Sequence, residues 1–168
     1  MSLPTVGIIE LVSIGKRAID VPAKIDTGAD SSAIWASNVR VGRDGVLRFS
    51  LFGEGSPYYN GKIFKRTDFS VAKVKSSNGS SEIRYRTHFV VMIAGRRVKI
   101  LMSLADRSNN EFAILIGRRT IAGKFLVDVR KKPPLSVLKR KNGGWNEEFK
   151  KDPYAFHKRY VKENKVGL

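Results

Sequence analysis

Short segments in which apolar and polar residues alternate run from residue 5 to residue 129, and this pattern constrains the fold more than any other feature of the chain. Alternation with a period of two and a high content of β-branched residues is typical of strands that bury one face. Turn residues at 14–16, 77–79 and 94–96 predict antiparallel hairpins between several of the segments. The pattern therefore predicts a mostly β domain with a short helix at 118–123. Strands are predicted at residues 5–13, 17–25, 46–52, 69–75, 82–94, 97–104, 112–116 and 124–129.

The composition changes after Pro133 and Pro134, where the alternating pattern stops. Residues 146–163 carry acidic side chains early and basic ones late, as the helix dipole favours, and place several aromatic residues near one face. Pro153 lies inside this stretch and predicts two short helices or one interrupted helix. We therefore predict a single β domain at residues 1–130, followed by a basic, partly helical C-terminal extension at residues 131–168.

The chain carries a net charge of +17, from 32 Lys and Arg against 15 Asp and Glu. A field of this sign attracts acidic polypeptides, anionic membranes or nucleic acid, and it does not identify the fold. A nucleic-acid partner could use the basic run 139–141, with Trp145 and Tyr154 for base stacking. This partner is the least favoured, because no known nucleic-acid-binding motif is present.

The cellular location of the protein is predicted from three features that the sequence lacks. No stretch approaches the roughly 18 consecutive apolar residues that a membrane-spanning helix needs, and the first residues lack the basic and apolar regions of a secretory signal. There is no cysteine, which excludes disulfides, thiolate zinc sites and a cysteine nucleophile. We expect a cytoplasmic protein without a membrane partner.

The run from Ala23 to Ser32 carries the strongest chemical signal in the chain. It places Asp26 directly after an apolar strand, at the start of a turn that contains Thr27 and Gly28. A strand end can deliver a carboxylate to the floor of a cleft, the threonine hydroxyl can fix the turn, and the glycine allows close approach of another backbone. Asp26 is therefore the candidate catalytic acid. The alternative is an Asx-type turn in a β protein with no chemical role.

A second motif, Ile114-Leu115-Ile116-Gly117-Arg118, is an apolar strand that ends at the beginning of the predicted short helix. Residues 74–85 lie between the two motifs and form two alternating segments joined by a small, polar, glycine-bearing tip. Together these features resemble the retropepsins, the retroviral-type aspartic proteases. The resemblance implies that the second motif packs beside the Asp-Thr-Gly turn and that residues 74–85 form a flap over the substrate. It also implies an ion pair between Asp30 and Arg118.

The chain more closely resembles a bacterial retropepsin-like family, formerly described as ATP-dependent zinc proteases and often encoded beside RimK-type glutamate ligases. Four ordered blocks carry this resemblance, at residues 24–29, 74–79, 104–107 and 115–118 with 123–128. It implies a closed barrel of the acid-protease fold with a single lobe. The zinc description does not suit the sequence, which has two histidines and no His-Glu-x-x-His motif. We expect no metal and no cofactor.

The resemblance implies an aspartic endopeptidase in which two carboxylates share a proton and activate water. Asp26 is the only aspartate that is followed by Thr-Gly or Ser-Gly, so a second copy of the chain must supply the other carboxylate. We therefore predict a homodimer. An acidic or glutamylated peptide is suggested as substrate by the association with glutamate ligases. The predicted site residues are Asp26 as catalyst; Thr27, Gly28 and Ala29 as turn support; Asp30 and Arg118 as an ion pair; and Ser76, Ser77, Asn78, Gly79 and Ser80 as flap and substrate contacts.

A different class of function stays open beside the enzyme. A protein could keep this fold and its Asp-Thr-Gly turn and serve as a binding module or adaptor without hydrolysis. The retained catalytic turn argues against this alternative, because the acid is the residue that an inactive descendant can most readily lose. Loss of cleavage on substitution of Asp26 separates the two.

Overall fold

The computed structural model describes residues 2–75, 79–137 and 144–161. The chain divides into two compact units, residues 1–135 and residues 136–168. The first unit contains eleven strands and one short helix in its described part. The strands are β1 Thr5–Val6, β2 Ile9–Ile14, β3 Ala18–Asp26, β4 Ser32–Val41, β5 Leu47–Leu51, β6 Ile63–Arg66, β7 Ser70–Lys75, β8 Ser81–Ile93, β9 Arg96–Ala105, β10 Ile114–Gly117 and β11 Leu126–Val127, and the helix is α1 Arg118–Ile121.

Six of the strands close into a barrel. Their order is β10, β3, β2, β8, β9 and β4, and a further pairing of β4 with β10 completes the ring. Two of the pairings are parallel, β10 with β3 and β4 with β9, and the others are antiparallel. Closure removes the free edges of these six strands over their paired lengths. The mostly β, closed single-lobe barrel of the retropepsin-like fold is confirmed.

The alternation that predicts the strands also builds the core. Side chains at every second position of β2, and of β8 from residue 87 onwards, are buried, among them Val12, Ile14, Phe89, Val91 and Ile93. Each fully buried side chain of this size contributes about 1.5–3 kcal/mol relative to exposure. The barrel interior is therefore a packed apolar core, and polar chemistry is left to the strand ends and the outer faces.

Two strands of the structure are missing from the sequence prediction, β4 and β6. The sequence of β4, Ser-Ala-Ile-Trp-Ala-Ser-Asn-Val-Arg-Val, mixes strand formers with turn formers, and Asn38 adopts a left-handed φ of 54° at an irregularity in the β4–β5 pairing. β4 is a strand because β9, β10 and β5 all pair with it, which a local pattern cannot reveal. The predicted strand 5–13 is also divided in two, since β1 pairs with β11 and β2 with β3.

The described part of the second unit contains two α-helices, α2 Trp145–Lys151 and α3 Pro153–Tyr160, and a short 3₁₀ helix, Leu135–Val137, comes before them in the chain. Asp152 ends the first and caps the second, since its side chain accepts a hydrogen bond from the backbone N–H of Ala155 at 3.0 Å. Pro153 occupies the first turn of α3, where its missing N–H has no helical partner to lose. Of the two predicted arrangements, the structure therefore has two short helices. In the described part of the chain no helix combines the length and apolar character that crossing a bilayer requires.

Candidate active site

Asp26 is the last residue of β3, and its carboxylate is held by the turn that follows. Oδ1 accepts hydrogen bonds from the backbone N–H groups of Gly28 at 3.1 Å and Ala29 at 3.2 Å. Oδ2 lies 3.7 Å from the Nζ atom of Lys24, and the side chain of Asp26 is 27% exposed. One oxygen is thus fixed in position while the carboxylate stays accessible to solvent. This is the geometry that a positioned acid or base needs.

The Ile-Gly-Arg motif lies directly beside this turn. β10 pairs in parallel with β3, so that Gly117 is opposite Asp26. The backbone N–H of Arg118 donates to the carbonyl of Ala29 at 2.8 Å, and that of Arg119 donates to the carbonyl of Asp30 at 3.2 Å. The start of α1 therefore binds the backbone of the residues that follow the Asp-Thr-Gly turn.

A buried pair of hydroxyl groups supports the same junction, and the sequence analysis assigned no role to either residue. The Oγ atom of Ser32 accepts a hydrogen bond from the backbone N–H of Gly117 at 3.0 Å and lies 2.8 Å from Oγ1 of Thr120. Both side chains are buried. Burying a hydroxyl group without a hydrogen-bond partner costs free energy. The hydrogen bond between Ser32 and Thr120 avoids this cost and ties the turn to α1.

Asp30 bridges the turn and the helix from the outside. Its two oxygens lie 2.7 Å from the guanidinium of Arg118 and 2.9 Å from that of Arg119. The structure thus brings Asp30 and Arg118 together and adds Arg119, which stands where retroviral enzymes usually carry Asn or Asp. All three side chains are half-exposed or more. Exposed pairs of this kind are worth at most about 1 kcal/mol, so the contact orients the turn more than it stabilises the fold.

Thr27 and Gly28 lie at the exposed tip of the turn. A Cβ atom added to Gly28 would meet Oδ1 of Asp26 at 3.4 Å, which is an ordinary van der Waals contact, and its φ is not in the left-handed region. Packing within this chain therefore does not require glycine at position 28. A second backbone or a substrate that approaches the tip closely would require glycine at this position, because a side chain would obstruct the approach.

Two cationic side chains interact with Asp26, Lys24 of β3 and Arg107. Arg107, in the loop before β10, donates from Nε to the carbonyl of Phe112 at 3.0 Å. Its burial and the nearby Arg84 lower the pKa of the Arg107 guanidinium, and the negative charge of Asp26 acts in the opposite direction. Arg84 forms an ion pair with Glu82 on β8. Lys24 and Arg107 thus act on the Asp26 carboxylate, and Arg84 adds positive charge beside Arg107, an arrangement that favours bound anions.

The predicted flap is an antiparallel hairpin of β7 and β8, paired from Ser70 with Arg86 to Lys75 with Ser81. Ser76, Ser77 and Asn78 lie outside the described residues, whereas Gly79, at φ 84°, and Ser80 are described and exposed. A groove of about 550 Å³ lies at the base of the hairpin, where residues 82–85 of β8 face β4 and the end of β9. The hairpin therefore forms one wall of this groove, whose other walls come from β4 and from the end of β9 and the residues that follow it.

Among residues 2–75, 79–137 and 144–161, no three His, Asp or Glu side chains come together as a potential metal site. The chemistry that the geometry supports is that of an accessible, backbone-anchored carboxylate.

A closed β barrel in which an Asp-Thr-Gly turn pairs with an Ile-Gly-Arg strand defines the retropepsin-like class of proteins. The chain belongs to the RimB-like family, described as retropepsin-like aspartic endopeptidase RimB, whose model matches residues 5–133.

Two curated relatives are both named "Probable alpha-L-glutamate ligase". One, from Shewanella pealeana, is 35% identical over 119 residues, and one, from Shewanella halifaxensis, is 34% identical over 119 residues. In each case the match covers 66% of this chain and 26% of the ligase, so this chain corresponds to about a quarter of those proteins. The ligase names describe the longer proteins.

A solved structure gives independent support for the fold. The crystal structure of a Legionella pneumophila protein of unknown function is similar to this chain with a TM-score of 0.63 and 22% sequence identity. The similarity covers 79% of this chain and 98% of that protein. At this identity the comparison bears on the fold alone.

Proposed function

We propose that this protein is an aspartic endopeptidase in which Asp26 and the same residue of a second copy activate a water molecule against a peptide bond. The observation that carries the proposal is the geometry of the Asp26 carboxylate at the end of β3. Two backbone N–H groups fix its Oδ1 atom, and the side chain remains accessible to solvent. One carboxylate accepts a proton from water, and the other donates a proton to the carbonyl oxygen of the scissile bond. The membership in a retropepsin-like endopeptidase family supports this chemistry.

The second carboxylate comes from a two-fold homodimer in this proposal. The sequence contains a single Asp-Thr-Gly, and a two-fold axis that passes beside the exposed tip of the turn would bring two copies of Asp26 together. Thr27 and Gly28 are exposed at that tip, where Thr27 would brace the opposite turn. The β7–β8 hairpins would cover the extended substrate from above, as an added strand.

Dilution tests the shared site. We expect the rate per mole of chain to fall as the protein is diluted below the dimer dissociation constant, and to become proportional to chain concentration where monomer dominates, because activity then requires two chains to meet. Cleavage of a fluorogenic peptide and analytical ultracentrifugation over the same concentrations would measure this. An excess of the Asp26→Asn chain should suppress wild-type activity through mixed dimers. A constant rate per chain in a purely monomeric sample would contradict the shared site.

We propose an acidic peptide as the substrate class. Lys24 lies 3.7 Å from the Asp26 carboxylate and Arg107 interacts with it electrostatically, so a substrate with carboxylates near the scissile bond would pair with these cations. The relatives named as glutamate ligases are consistent with such a substrate, since a ligase of that kind makes glutamate-bearing products. Acidic side chains on both sides of the scissile bond would use the cations of both copies.

Replacing Arg107 with glutamine should change substrate preference. For a peptide with glutamate beside the scissile bond, we expect kcat/KM to fall about 10- to 150-fold, because a charge-assisted hydrogen bond is worth about 1.5–3 kcal/mol. For the matched peptide with glutamine at the same positions, kcat/KM should stay within about twofold. Arg97→Gln, on an exposed position of β9, is the control and should affect neither peptide. An equal loss for both peptides would assign Arg107 a structural role instead.

A further inference from the structure

The barrel carries a second groove at the opposite end of β3 from Asp26. It has a volume of about 670 Å³ and is lined by residues 14–17 of the β2–β3 turn, residues 63–66 of β6, and residues 88–90 of β8. Arg17 precedes β3 and Asp26 ends it, nine positions later. At about 3.3 Å per residue the two lie about 30 Å apart along the strand, so the groove is separate from the candidate active site.

The lining of this groove is strongly positive. It includes Lys16, Arg17, Lys65 and Arg66 together with His88, and its lining residues include no carboxylate. The guanidinium of Arg17 lies 4.4 Å from the centre of the Phe64 ring, and that of Arg66 lies 5.6 Å from it. Both arginines line the groove, and their contact with the Phe64 ring helps to hold them in place. A ligand that fits this lining is anionic.

Two strand edges without partners bound the same groove. One edge of β8 pairs with β9 from Arg86 to Ile93. The other edge of β8 pairs with two strands in turn, with β7 as far as Arg86 and with β2 from Met92 onwards. Between these two pairings, residues 87–91 have no partner strand within the described part of the chain. The outermost strand, β6, pairs with β5 alone among the described strands. Open backbone N–H and C=O groups of this kind bind an extended polypeptide as an added strand.

We propose that this groove binds an extended, acidic polypeptide segment, which adds as a strand while its carboxylates pair with the surrounding Lys and Arg side chains. The backbone edges favour a polypeptide over nucleic acid. So do the phenylalanine rings of the groove, Phe64 and Phe89, which are buried and not available for base stacking. The inference goes beyond the proposed cleavage, because binding here does not use Asp26. A substrate that occupied both sites would need about ten residues between them.

Binding of a ten-residue oligo-glutamate peptide to the Asp26→Asn protein tests the proposal. Reversing two exposed charges of the groove, in Lys16→Glu/Lys65→Glu, should raise the Kd measured by fluorescence anisotropy about tenfold or more. The matched control Arg43→Glu/Lys132→Glu makes the same change in net charge at exposed positions outside the groove and should change the Kd less than about twofold. Hydrogen–deuterium exchange should show peptide-dependent protection at residues 63–66 or 87–91.

Three outcomes would overturn the proposal. One is an equal loss of affinity in the control variant, which would indicate attraction to net charge alone. Another is undiminished binding of a peptide N-methylated along its backbone, because strand addition needs the N–H groups that methylation removes. The third is an oligonucleotide of equal charge that binds as tightly and is equally weakened by the groove variant. If Asp26→Asn proved to cleave like the wild type, the proposed function would fail and these binding results would still stand.

Discussion

Replacing Asp26 with asparagine should reduce kcat for peptide cleavage by about 10³-fold or more while leaving the fold intact. The asparagine side chain still presents an oxygen to the N–H groups of Gly28 and Ala29, which hold Oδ1 in the wild type at 3.1 and 3.2 Å. The turn therefore persists. The variant lacks the carboxylate that takes up a proton from water. No other aspartate of the chain is followed by Thr-Gly or Ser-Gly, so no second turn of this kind can replace it.

The measurement is cleavage of an acidic fluorogenic peptide, with thermal unfolding of the same samples as the check on folding. Asp44→Asn is the matched control, since it makes the same chemical change at an exposed carboxylate, paired with Arg48 in the β4–β5 turn. It should leave kcat within about twofold, because the turn is remote from the site. Unchanged cleavage in folded Asp26→Asn would remove the endopeptidase assignment and favour the binding-module alternative, in which the turn is retained without hydrolysis.

The features of the site that the sequence predicts are those that depend on local pattern. β3 alternates from Val21 onwards and β10 is a short apolar run, so both strands are identifiable without coordinates. The Asx-type turn at Asp26 follows from three adjacent residues. The closed barrel could be predicted because the order of the motifs matches a known family. The cytoplasmic location, the homodimer and the tip of the flap at Ser76, Ser77 and Asn78 stay predictions.

The parts that the sequence analysis missed depend on contacts between distant residues. Ser32 and Thr120 are separated by 88 positions, and each is an unremarkable polar residue until the fold brings the hydroxyls to 2.8 Å. Arg107 belongs to a block shared with the family, yet its approach to Asp26 depends on how the loop before β10 folds. No local signal identifies this pair, because Ser32 begins β4, a strand that the sequence pattern does not predict. The sequence also gives no signal for the cations near Asp26, because basic residues are common throughout this chain.

Gly117→Ala should be the most destabilising small substitution near the site, and its effect should reach the catalytic turn. Gly117 has φ −82°, a value open to any residue, so its backbone conformation does not require glycine. Glycine is required because there is no space for a side chain. An added Cβ atom would lie 2.5 Å from both the carbonyl carbon and the carbonyl oxygen of Ser31, and 3.0 Å from the carbonyl oxygen of Ala29. These are backbone atoms that cannot rotate away, so β10 must move. We expect a loss of about 3 kcal/mol in the free energy of unfolding.

The displaced strand is the one that pairs with Asp26, which is why stability and activity should fall together. Moving β10 weakens the hydrogen bonds from Gly117 to Ser32 and from Arg118 to Ala29, at 3.0 and 2.8 Å, and these hold the turn in place. Urea unfolding and kcat on the same preparation would measure both effects. Gly28→Ala is the control, since its Cβ atom has room, and its unfolding free energy should change by less than about 1 kcal/mol. A large loss of activity in stable Gly28→Ala would place a second backbone or the substrate against the turn, whereas an unaltered Gly117→Ala protein would contradict the close approach of β10.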